Sequence, residues 1–304
     1  MAILAYIGWF LTGYVALTVF FYMLSFIIPK AAFVARALAS YLAAAISSLF
    51  GVYISIFLRL IGHGQIAQWA CARSFKWLML LATGITFDVE DPQGHLDKVR
   101  PAVFIGNHQT ELDVLMLGCM FPKYCSVTAK ASLRRVPFLG WFMALSGTVF
   151  LNRSNSQDAR QALAGAVEEM RSRRHSVYIF PEGTRSYTKE PTLLPFKKGA
   201  FHLAVQAQVP IVPVVVANYS HVLWIKGWMF KSGRIPVKVL DPIPTTGLTA
   251  ADVDDLTRST RELMLKELIV LTEKARGRAV ENVPQASSEA TTARTTGAKI
   301  KVAA

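Results

Sequence analysis

Two side chains that can act together as an acid–base pair, His108 and Asp113, stand five positions apart. An imidazole held by a carboxylate keeps one tautomer and can accept a proton from an alcohol. The apolar run over 102–105 predicts a strand before the pair, and the apolar run over 114–117 predicts a helix that begins near the aspartate. We therefore expect the histidine at a strand end, the aspartate near a helix start, and a contact between them.

Three further blocks stand out, and two of them carry groups that suit a phosphorylated ligand. A basic segment runs over 130–140, and Arg153 follows it. The block 180–186 comes after an apolar strand pattern; its proline and glycine predict a tight turn, and its arginine offers a planar fork of donors that suits a phosphate. A proline-marked strand covers 210–216. Taken singly, the pair and the blocks also fit ordinary structural roles: a core histidine, a solvated loop or a surface turn.

In this order the four blocks resemble the glycerolipid acyltransferase family, and most closely its lysophosphatidate acyltransferases. Residues 107–113 match the family's H-x-x-x-x-D motif with an N-H-Q lead-in. Residues 130–140 match K-x-x-L-x-x-x-P-x-x-G, 180–186 match F-P-E-G-T-R-S, and 210–216 match the last block. The resemblance covers about residues 100 to 220, which is the middle of the chain.

The resemblance implies an enzyme that moves an acyl chain from acyl-CoA to the sn-2 hydroxyl of lysophosphatidic acid and gives phosphatidic acid, in phospholipid biosynthesis. His108 would be the general base on that hydroxyl, and Asp113 would hold the ring and stabilise the imidazolium. The sequence has no G-x-S-x-G elbow that would supply a nucleophilic serine, so we expect direct transfer without an acyl-enzyme.

The resemblance also implies a binding site for the phosphate of the acceptor. Its residues are Glu182, Gly183, Thr184 and Arg185, with Arg153 and Lys130 as further candidates. Lys197 and Lys198 fit either the phosphates of CoA or a solvated turn. The resemblance implies no bound cofactor and no metal, since acyl-CoA is a co-substrate. The donors for a thioester oxyanion stay unidentified.

The chain is basic and apolar, which limits the classes of partner. Its 304 residues carry a formal net charge of +13, and 52% of them are hydrophobic. A basic balance favours nucleic acid, an anionic membrane or phosphorylated small molecules. The sequence has no helix-turn-helix pattern, zinc finger or RNA-recognition signature, which argues against nucleic acid. The three cysteines fit neither a zinc site nor a disulfide framework, and we expect free thiols.

The first 62 residues predict a membrane-embedded helical hairpin (1–62). The runs 2–28 and 37–58 lack charged residues and are long enough to cross a bilayer, which takes about 20 apolar residues. The positive-inside rule places the segment with Lys30 and Arg36 in the cytosol, and it places the basic domain that follows there as well. Both placements hold only if one segment is re-entrant or lies in one leaflet. The alternative is that one run is a buried helix of a soluble protein.

The later pattern predicts a globular α/β domain over 63–276, with a mixed sheet flanked by helices. Helical spacing is clearest over 156–174, and a last helix is predicted over 249–273 with Thr249 as its N-cap. After it, residues 277–304 have the composition of a disordered tail. The predicted strands are 99–105, 126–128, 148–151, 177–180 and 211–217.

The resemblance places the protein in a membrane with its catalytic domain facing the cytosol, and in a eukaryote it favours the endoplasmic reticulum. Three rival functions stay open. A sister enzyme would use glycerol-3-phosphate or another lysophospholipid as the acceptor. A lipid-binding protein without activity would not need His108 and Asp113, and a transporter would need more than two spans or a charged residue inside one.

Overall fold

The computed structural model describes residues 2–152 and 156–280, with the backbone alone over 156–160. Arg153 and residues 281–304 of the predicted tail lie outside the described residues. The helices are α1 (Ala2–Leu24), α2 (Ala31–Leu60), α3 (Ala67–Thr83), α4 (His95–Lys98), α5 (Asp113–Met120), α6 (Leu139–Leu145), α7 (Ser156–Arg173), α8 (Gly199–Ala207) and α9 (Val253–Arg276). The strands are β1 (Ile85–Glu90), β2 (Val103–Gly106), β3 (Cys125–Lys130), β4 (Val149–Leu151), β5 (Ser176–Ile179), β6 (Ile211–Val216), β7 (Leu223–Trp224), β8 (Met229–Phe230) and β9 (Gly233–Val239).

In the part of the chain that the structure describes, seven strands form one mixed sheet, as predicted, in the order β1-β9-β6-β2-β5-β3-β4. Its neighbouring strands are parallel except for β6 and β9, which are antiparallel. The five predicted strands are present as β2 to β6, and β7 and β8 form a separate antiparallel hairpin. Because β2 to β6 run the same way, the segments that follow them leave one edge of the sheet, which we call the carboxyl edge. Ligands of α/β folds bind at this edge.

Two hydrophobic cores cover the two faces of the sheet. On one face α3 and α5 contribute Met79 and Met116. On the other face α8 and α9 contribute Phe201 and Met264. Because both faces are covered, β6 is buried along its whole length, which explains its unbroken apolar sequence. The packing on both sides fixes the strand ends that carry the candidate site.

The two N-terminal helices are each long and apolar enough to cross a membrane, by length and composition. They differ in burial: α1 is almost entirely exposed, with Thr18 as its buried residue. α2 packs against α3 and α6, and a Cβ added to Gly51 would lie 2.6 Å from the ring of Phe142. Small residues at every fourth position permit this close packing: Ala31, Ala35, Ala39, Ala43, Ser47, Gly51 and Ser55.

The second helix starts earlier than the sequence pattern predicted, and it includes a charged residue. α2 begins six residues before the predicted run and therefore contains Arg36. The guanidinium of Arg36 donates to the backbone oxygens of Thr83 (3.3 Å) and Phe230 (3.0 Å). The charge is accommodated because it faces the α/β domain, where these carbonyl groups accept its hydrogen bonds.

The last helix differs from the prediction at both ends. α9 begins at Val253, four residues after the predicted N-cap, and ends at Arg276. The backbone N–H (2.8 Å) and the hydroxyl (2.9 Å) of Thr249 both donate to the carboxylate of Asp252, the residue before the helix. These two hydrogen bonds close a turn that precedes the helix, so Thr249 does not cap the first helical turn. Gly277, with a φ of +64°, ends the helix.

Candidate active site

His108 follows β2 at the carboxyl edge, and its two neighbours in the chain anchor it there. The side-chain Oδ1 of Asn107 accepts the N–H of Val216 at 2.9 Å, and its Nδ2 donates to the carbonyl of Val216 at 3.0 Å. Gln109 donates through Nε2 to the carbonyl of Ala217 at 3.0 Å. These bonds continue the pairing of β2 with β6 past the end of β2, which fixes the backbone of His108 over the strand ends.

The predicted contact between His108 and Asp113 is present. Nδ1 of the imidazole lies 2.7 Å from Oδ2 of Asp113, and because a carboxylate only accepts, Nδ1 carries the proton. The Asp113 side chain is 1% exposed and that of His108 is 14% exposed, so the pair is shielded while the ring keeps an open edge. Oδ2 also accepts the N–H groups of Gln109 (2.6 Å) and Thr110 (3.2 Å). Among the described residues, Nε2 of His108 has no hydrogen-bond partner.

Tyr219, which the sequence analysis missed, binds the other oxygen of the aspartate. Its hydroxyl donates to Oδ1 of Asp113 at 2.6 Å and accepts the N–H of Thr110 at 3.1 Å. Burial and the nearby Asp113 carboxylate raise the pKa of Tyr219 well above its ordinary value, so the phenol stays a neutral donor. The signal in the sequence was its place just after the apolar run that forms β6.

The block 180–186 follows β5 and approaches His108 from another side. The ring of Phe180 stacks on the imidazole, with centroids 4.1 Å apart and planes 19° apart. Oε1 of Glu182 accepts the backbone N–H of His108 at 2.7 Å, and Oε2 accepts that of Leu194 at 2.9 Å. Burial raises the pKa of Glu182 to about 7, although these two backbone hydrogen bonds lower it. Glu182 is 3% exposed, so it lies beneath the site and not on its surface.

Arg185 is half-buried and lies beside the loop that carries the histidine. Its Nη1 donates to Oε1 of Glu111 at 2.9 Å and to the hydroxyl of Tyr187 at 3.3 Å. The N–H of Ser186 donates to the carbonyl of His108 at 2.9 Å, so both backbone groups of His108 are bonded to the same block. The structure therefore brings the predicted base and the predicted phosphate-binding arginine together in one cluster.

The remaining predicted contacts of this block lie around its turn. Gly183 turns the chain with a φ of +69°, and Thr184 is exposed. The end of the Lys197 side chain lies over the turn, where a Cβ added to Gly183 would sit 2.8 Å from Cε of Lys197. Lys198 is instead paired with Asp254 at 2.6 Å. Of the two lysines considered for CoA phosphates, Lys197 is the one next to the site.

Lys130 is exposed at the end of β3, on the carboxyl edge. After it the chain forms a 3-10 turn over Ala131–Arg135 and then begins α6. Gly140, the last residue of the basic block, lies against this turn. A Cβ at Gly140 would overlap the carbonyl oxygen of Arg134 and would lie 2.8 Å from that of Leu133. The glycine of the motif is therefore explained by a close approach of two backbone segments.

Gly140→Ala is expected to destabilise the fold by about 1–3 kcal/mol, because the added methyl group meets backbone that cannot swing aside. Thermal unfolding of the purified protein in detergent measures the loss. Gly165→Ala on α7 is the control, since nothing lies within 4 Å of a Cβ at that position, and alanine favours a helix. Equal melting temperatures for Gly140→Ala and the wild type would contradict the close approach.

A cavity of about 250 Å³ opens beside the cluster and joins the histidine loop to the β7–β8 hairpin. The loop contributes Gln109 and Thr110 to its lining, and the hairpin segment contributes Leu223, Trp224 and Ile225. Apolar side chains with a few polar groups at one end are typical of pockets for small or lipid-like ligands. The cavity therefore borders the loop that carries His108.

Comparisons with known proteins identify the family of this chain. The sequence matches the family model described as Acyltransferase over residues 87–217. It is 47% identical over 227 residues to the 1-acyl-sn-glycerol-3-phosphate acyltransferase of Saccharomyces cerevisiae, which covers 75% of this chain and 74% of that protein. It is 46% identical over 184 residues to the 1-acyl-sn-glycerol-3-phosphate acyltransferase beta of Homo sapiens, which covers 60% of this chain and 64% of that protein.

The fold is similar to a crystal structure of the 1-acyl-sn-glycerophosphate (LPA) acyltransferase PlsC from Thermotoga maritima. The TM-score is 0.61 and the identity 23%, over 77% of this chain and 95% of that chain. At this identity the likeness shows the fold alone, whereas the yeast relative is similar enough, and over enough of its length, to show the family. The chain therefore belongs to the acyltransferase family, within the group of the 1-acyl-sn-glycerol-3-phosphate acyltransferases.

Proposed function

We propose that the protein transfers an acyl chain from acyl-CoA to the sn-2 hydroxyl of lysophosphatidic acid and thereby forms phosphatidic acid. The observation that carries the proposal is the buried Asp113 carboxylate on Nδ1 of His108, which leaves Nε2 free to accept a proton. Such a pair suits a hydroxyl that the substrate brings, since the sequence has no serine elbow of its own. The yeast and human relatives are named for this acceptor, which supports the choice of reaction.

In the proposed reaction Nε2 of His108 removes the proton from the acceptor hydroxyl while the hydroxyl oxygen attacks the thioester carbonyl carbon of acyl-CoA. The C–S bond then breaks, and the imidazolium gives the proton to the departing CoA thiolate. Asp113 keeps its negative charge throughout and stabilises the imidazolium through Nδ1. Tyr219 and two backbone N–H groups hold the carboxylate, so the ring keeps its orientation during the cycle.

The residues of the 180–186 block take different roles in this proposal. Glu182 supports the base, because its two carboxylate oxygens are bonded to backbone N–H groups, one of them that of His108. Arg185 binds the phosphate of the acceptor, because a guanidinium offers parallel donors that match phosphate oxygens. Lys197 adds a positive charge at the same turn, and Lys130 is a further candidate at the end of β3.

Arg185→Ala is expected to raise the Michaelis constant for lysophosphatidic acid by about 10- to 100-fold, since a hydrogen bond to a charged group contributes about 1.5–3 kcal/mol. Steady-state kinetics with labelled acyl-CoA measure the effect. Arg258→Ala is the matched control, because Arg258 forms an exposed ion pair with Asp255 on α9, away from the site. An unchanged Michaelis constant for the acceptor in Arg185→Ala would remove the arginine from the phosphate site.

The same base would serve a sister reaction on glycerol-3-phosphate or on a lysophospholipid with a head group. A panel of acceptors with purified protein and labelled acyl-CoA separates these activities. We expect the highest kcat/KM with lysophosphatidic acid. Faster turnover of any other acceptor in the panel would replace lysophosphatidic acid in the proposal and leave the acyl transfer itself intact.

We also propose that the protein acts at a membrane with its catalytic domain on the cytosolic side, and in a eukaryotic cell at the endoplasmic reticulum. The apolar side chains of α1 are exposed along most of the helix, which suits burial in lipid. α2 is in contact with α3, α6 and β8, so part of its surface is covered by the α/β domain and not by lipid. A position of α2 in one leaflet keeps Lys30, Arg36 and the basic domain on one side of the membrane, as the positive-inside rule requires.

A further inference from the structure

We infer that Glu111 positions Arg185 for the acceptor phosphate, so that a second carboxylate of the histidine motif sets the geometry of the anion site. The inference rests on the proposed function, in which Arg185 binds that phosphate. Glu111 precedes Asp113 by two residues, and the two face different surroundings: Glu111 is exposed and Asp113 is buried. One carboxylate of the motif thus holds the base, and the other holds the arginine.

Glu111 binds one edge of the guanidinium through a single oxygen. Its Oε1 accepts Nη1–H of Arg185 at 2.9 Å and the hydroxyl of Tyr187 at 2.5 Å. Nη1 also reaches the Tyr187 hydroxyl at 3.3 Å, so the three groups form a closed triangle. Because an arginine side chain has several rotatable bonds, a triangle of this kind selects one orientation of the guanidinium.

The opposite edge of the guanidinium has no acceptor among the described residues. Nε of Arg185 is buried and has no hydrogen-bond partner among the described residues. Buried donors normally have an acceptor, and Nε together with Nη2 forms the parallel pair that binds a phosphate through two oxygens. A carboxylate that occupied the phosphate position would bind Nε and Nη2 through both of its oxygens. Glu111 instead contacts Nη1 through one oxygen. The geometry therefore fits a positioning residue and not a competitor.

The same contact links the anion site to the base. Glu111 belongs to the loop that carries His108, and this loop is bonded to the arginine block through Ser186 N–H to the His108 carbonyl (2.9 Å) and Tyr187 N–H to the Gln109 carbonyl (3.1 Å). The guanidinium is therefore held at a fixed separation from the imidazole. Positioning of this kind should act on the binding of a phosphate-bearing acceptor and leave the chemical step largely unchanged.

The test compares two substitutions of Glu111 with a substitution of its partner. Glu111→Ala removes the charge and the accepting oxygen, and we expect it to raise the Michaelis constant for lysophosphatidic acid by about tenfold, with kcat within about twofold. Glu111→Gln keeps an accepting oxygen but removes the charge. Tyr187→Phe removes the hydroxyl that donates to the Glu111 carboxylate. Each of these two variants should raise the Michaelis constant for lysophosphatidic acid by about threefold. The Michaelis constant for acyl-CoA should not change in any of them. Asp255→Ala, which breaks an exposed arginine–carboxylate pair on α9, is the control and should leave all constants unchanged.

An Arg185→Ala background separates this inference from the proposed function. If Glu111 acts through Arg185, Glu111→Ala adds nothing to the Michaelis constant once the arginine is absent. A full effect of Glu111→Ala in that background, or a lower Michaelis constant in Glu111→Ala alone, overturns the inference and leaves the arginine as the phosphate ligand. If Arg185→Ala alone leaves the Michaelis constant for lysophosphatidic acid unchanged, the proposed anion site is overturned. If Glu111→Ala does not fold, the Glu111→Gln and Tyr187→Phe variants decide, and the absence of an increase in both overturns the inference.

Discussion

His108→Ala is expected to lower kcat by about 10²- to 10⁴-fold, which is the usual contribution of a positioned general base. Alanine cannot take the proton from the acceptor hydroxyl, whereas Asp113 keeps its bonds to Tyr219 and to the backbone. The stacking of the imidazole on Phe180 is lost as well. Since the ring borders the open side of the cluster, we expect the fold to persist. Turnover of labelled acyl-CoA, with thermal unfolding of the same sample, measures both properties.

A second histidine–aspartate pair in the chain provides a matched control. Nε2 of His95 lies 3.1 Å from Oδ1 of Asp241, at the opposite edge of the sheet from the site. His95→Ala should therefore keep the wild-type kcat. Wild-type activity in a folded His108→Ala variant would refute the assignment of the base. If His95→Ala and His108→Ala lowered kcat equally, the loss would not be specific to the imidazole of His108, and this histidine would not be the base.

Asp113→Ala is expected to reduce both turnover and stability. It leaves the Nδ1–H of His108, the hydroxyl of Tyr219 and two backbone N–H groups without their acceptor. Each buried donor left in this state costs about 1–3 kcal/mol, so the free energy of unfolding should fall by at least about 3 kcal/mol. The imidazole also loses the partner that fixes its tautomer, and kcat should fall by about 10⁴-fold, as for the aspartate of a Ser-His-Asp triad.

Asp113→Asn separates the two effects of this substitution. An amide group keeps one oxygen acceptor, so the loss of stability should be smaller than in Asp113→Ala. The uncharged amide does not stabilise an imidazolium, and its N–H₂ group favours the tautomer with the proton on Nε2, so kcat should still fall. Asp255→Ala, at an exposed pair on α9, should change the stability by less than about 0.5 kcal/mol. A wild-type kcat in Asp113→Asn would limit the aspartate to a structural role.

The strands that lead into the site could be predicted from the sequence because they are buried on both faces. β2, β5 and β6 consist mainly of apolar residues for this reason. β9 was missed because Arg234, Pro236 and Lys238 alternate with its buried residues and interrupt the apolar run. β1 was missed because its apolar start continues that of α3, and the boundary between them is a single residue, Gly84, with a φ of +69°.

The site itself was predictable only where its contacts are local in sequence. The bond between His108 and Asp113 spans five residues, so the strand pattern before the histidine and the helix pattern at the aspartate predicted the contact. The bond from Tyr219 to Asp113 spans 106 residues, and that from Arg185 to Glu111 spans 74. These contacts depend on the order of β6, β2 and β5 in the sheet, which no local pattern encodes.

The attachment of α2 to the domain has a consequence for synthesis on the ribosome. Arg36 near the start of α2 is bonded to Phe230, a residue 194 positions later. At about 5–20 residues per second, the partner of Arg36 emerges about 10–40 s after the arginine itself. During that interval Arg36 has the carbonyl of Thr83 as a partner but lacks that of Phe230. A nascent chain stalled before residue 230 should therefore hold α2 in a different environment from that of the finished protein.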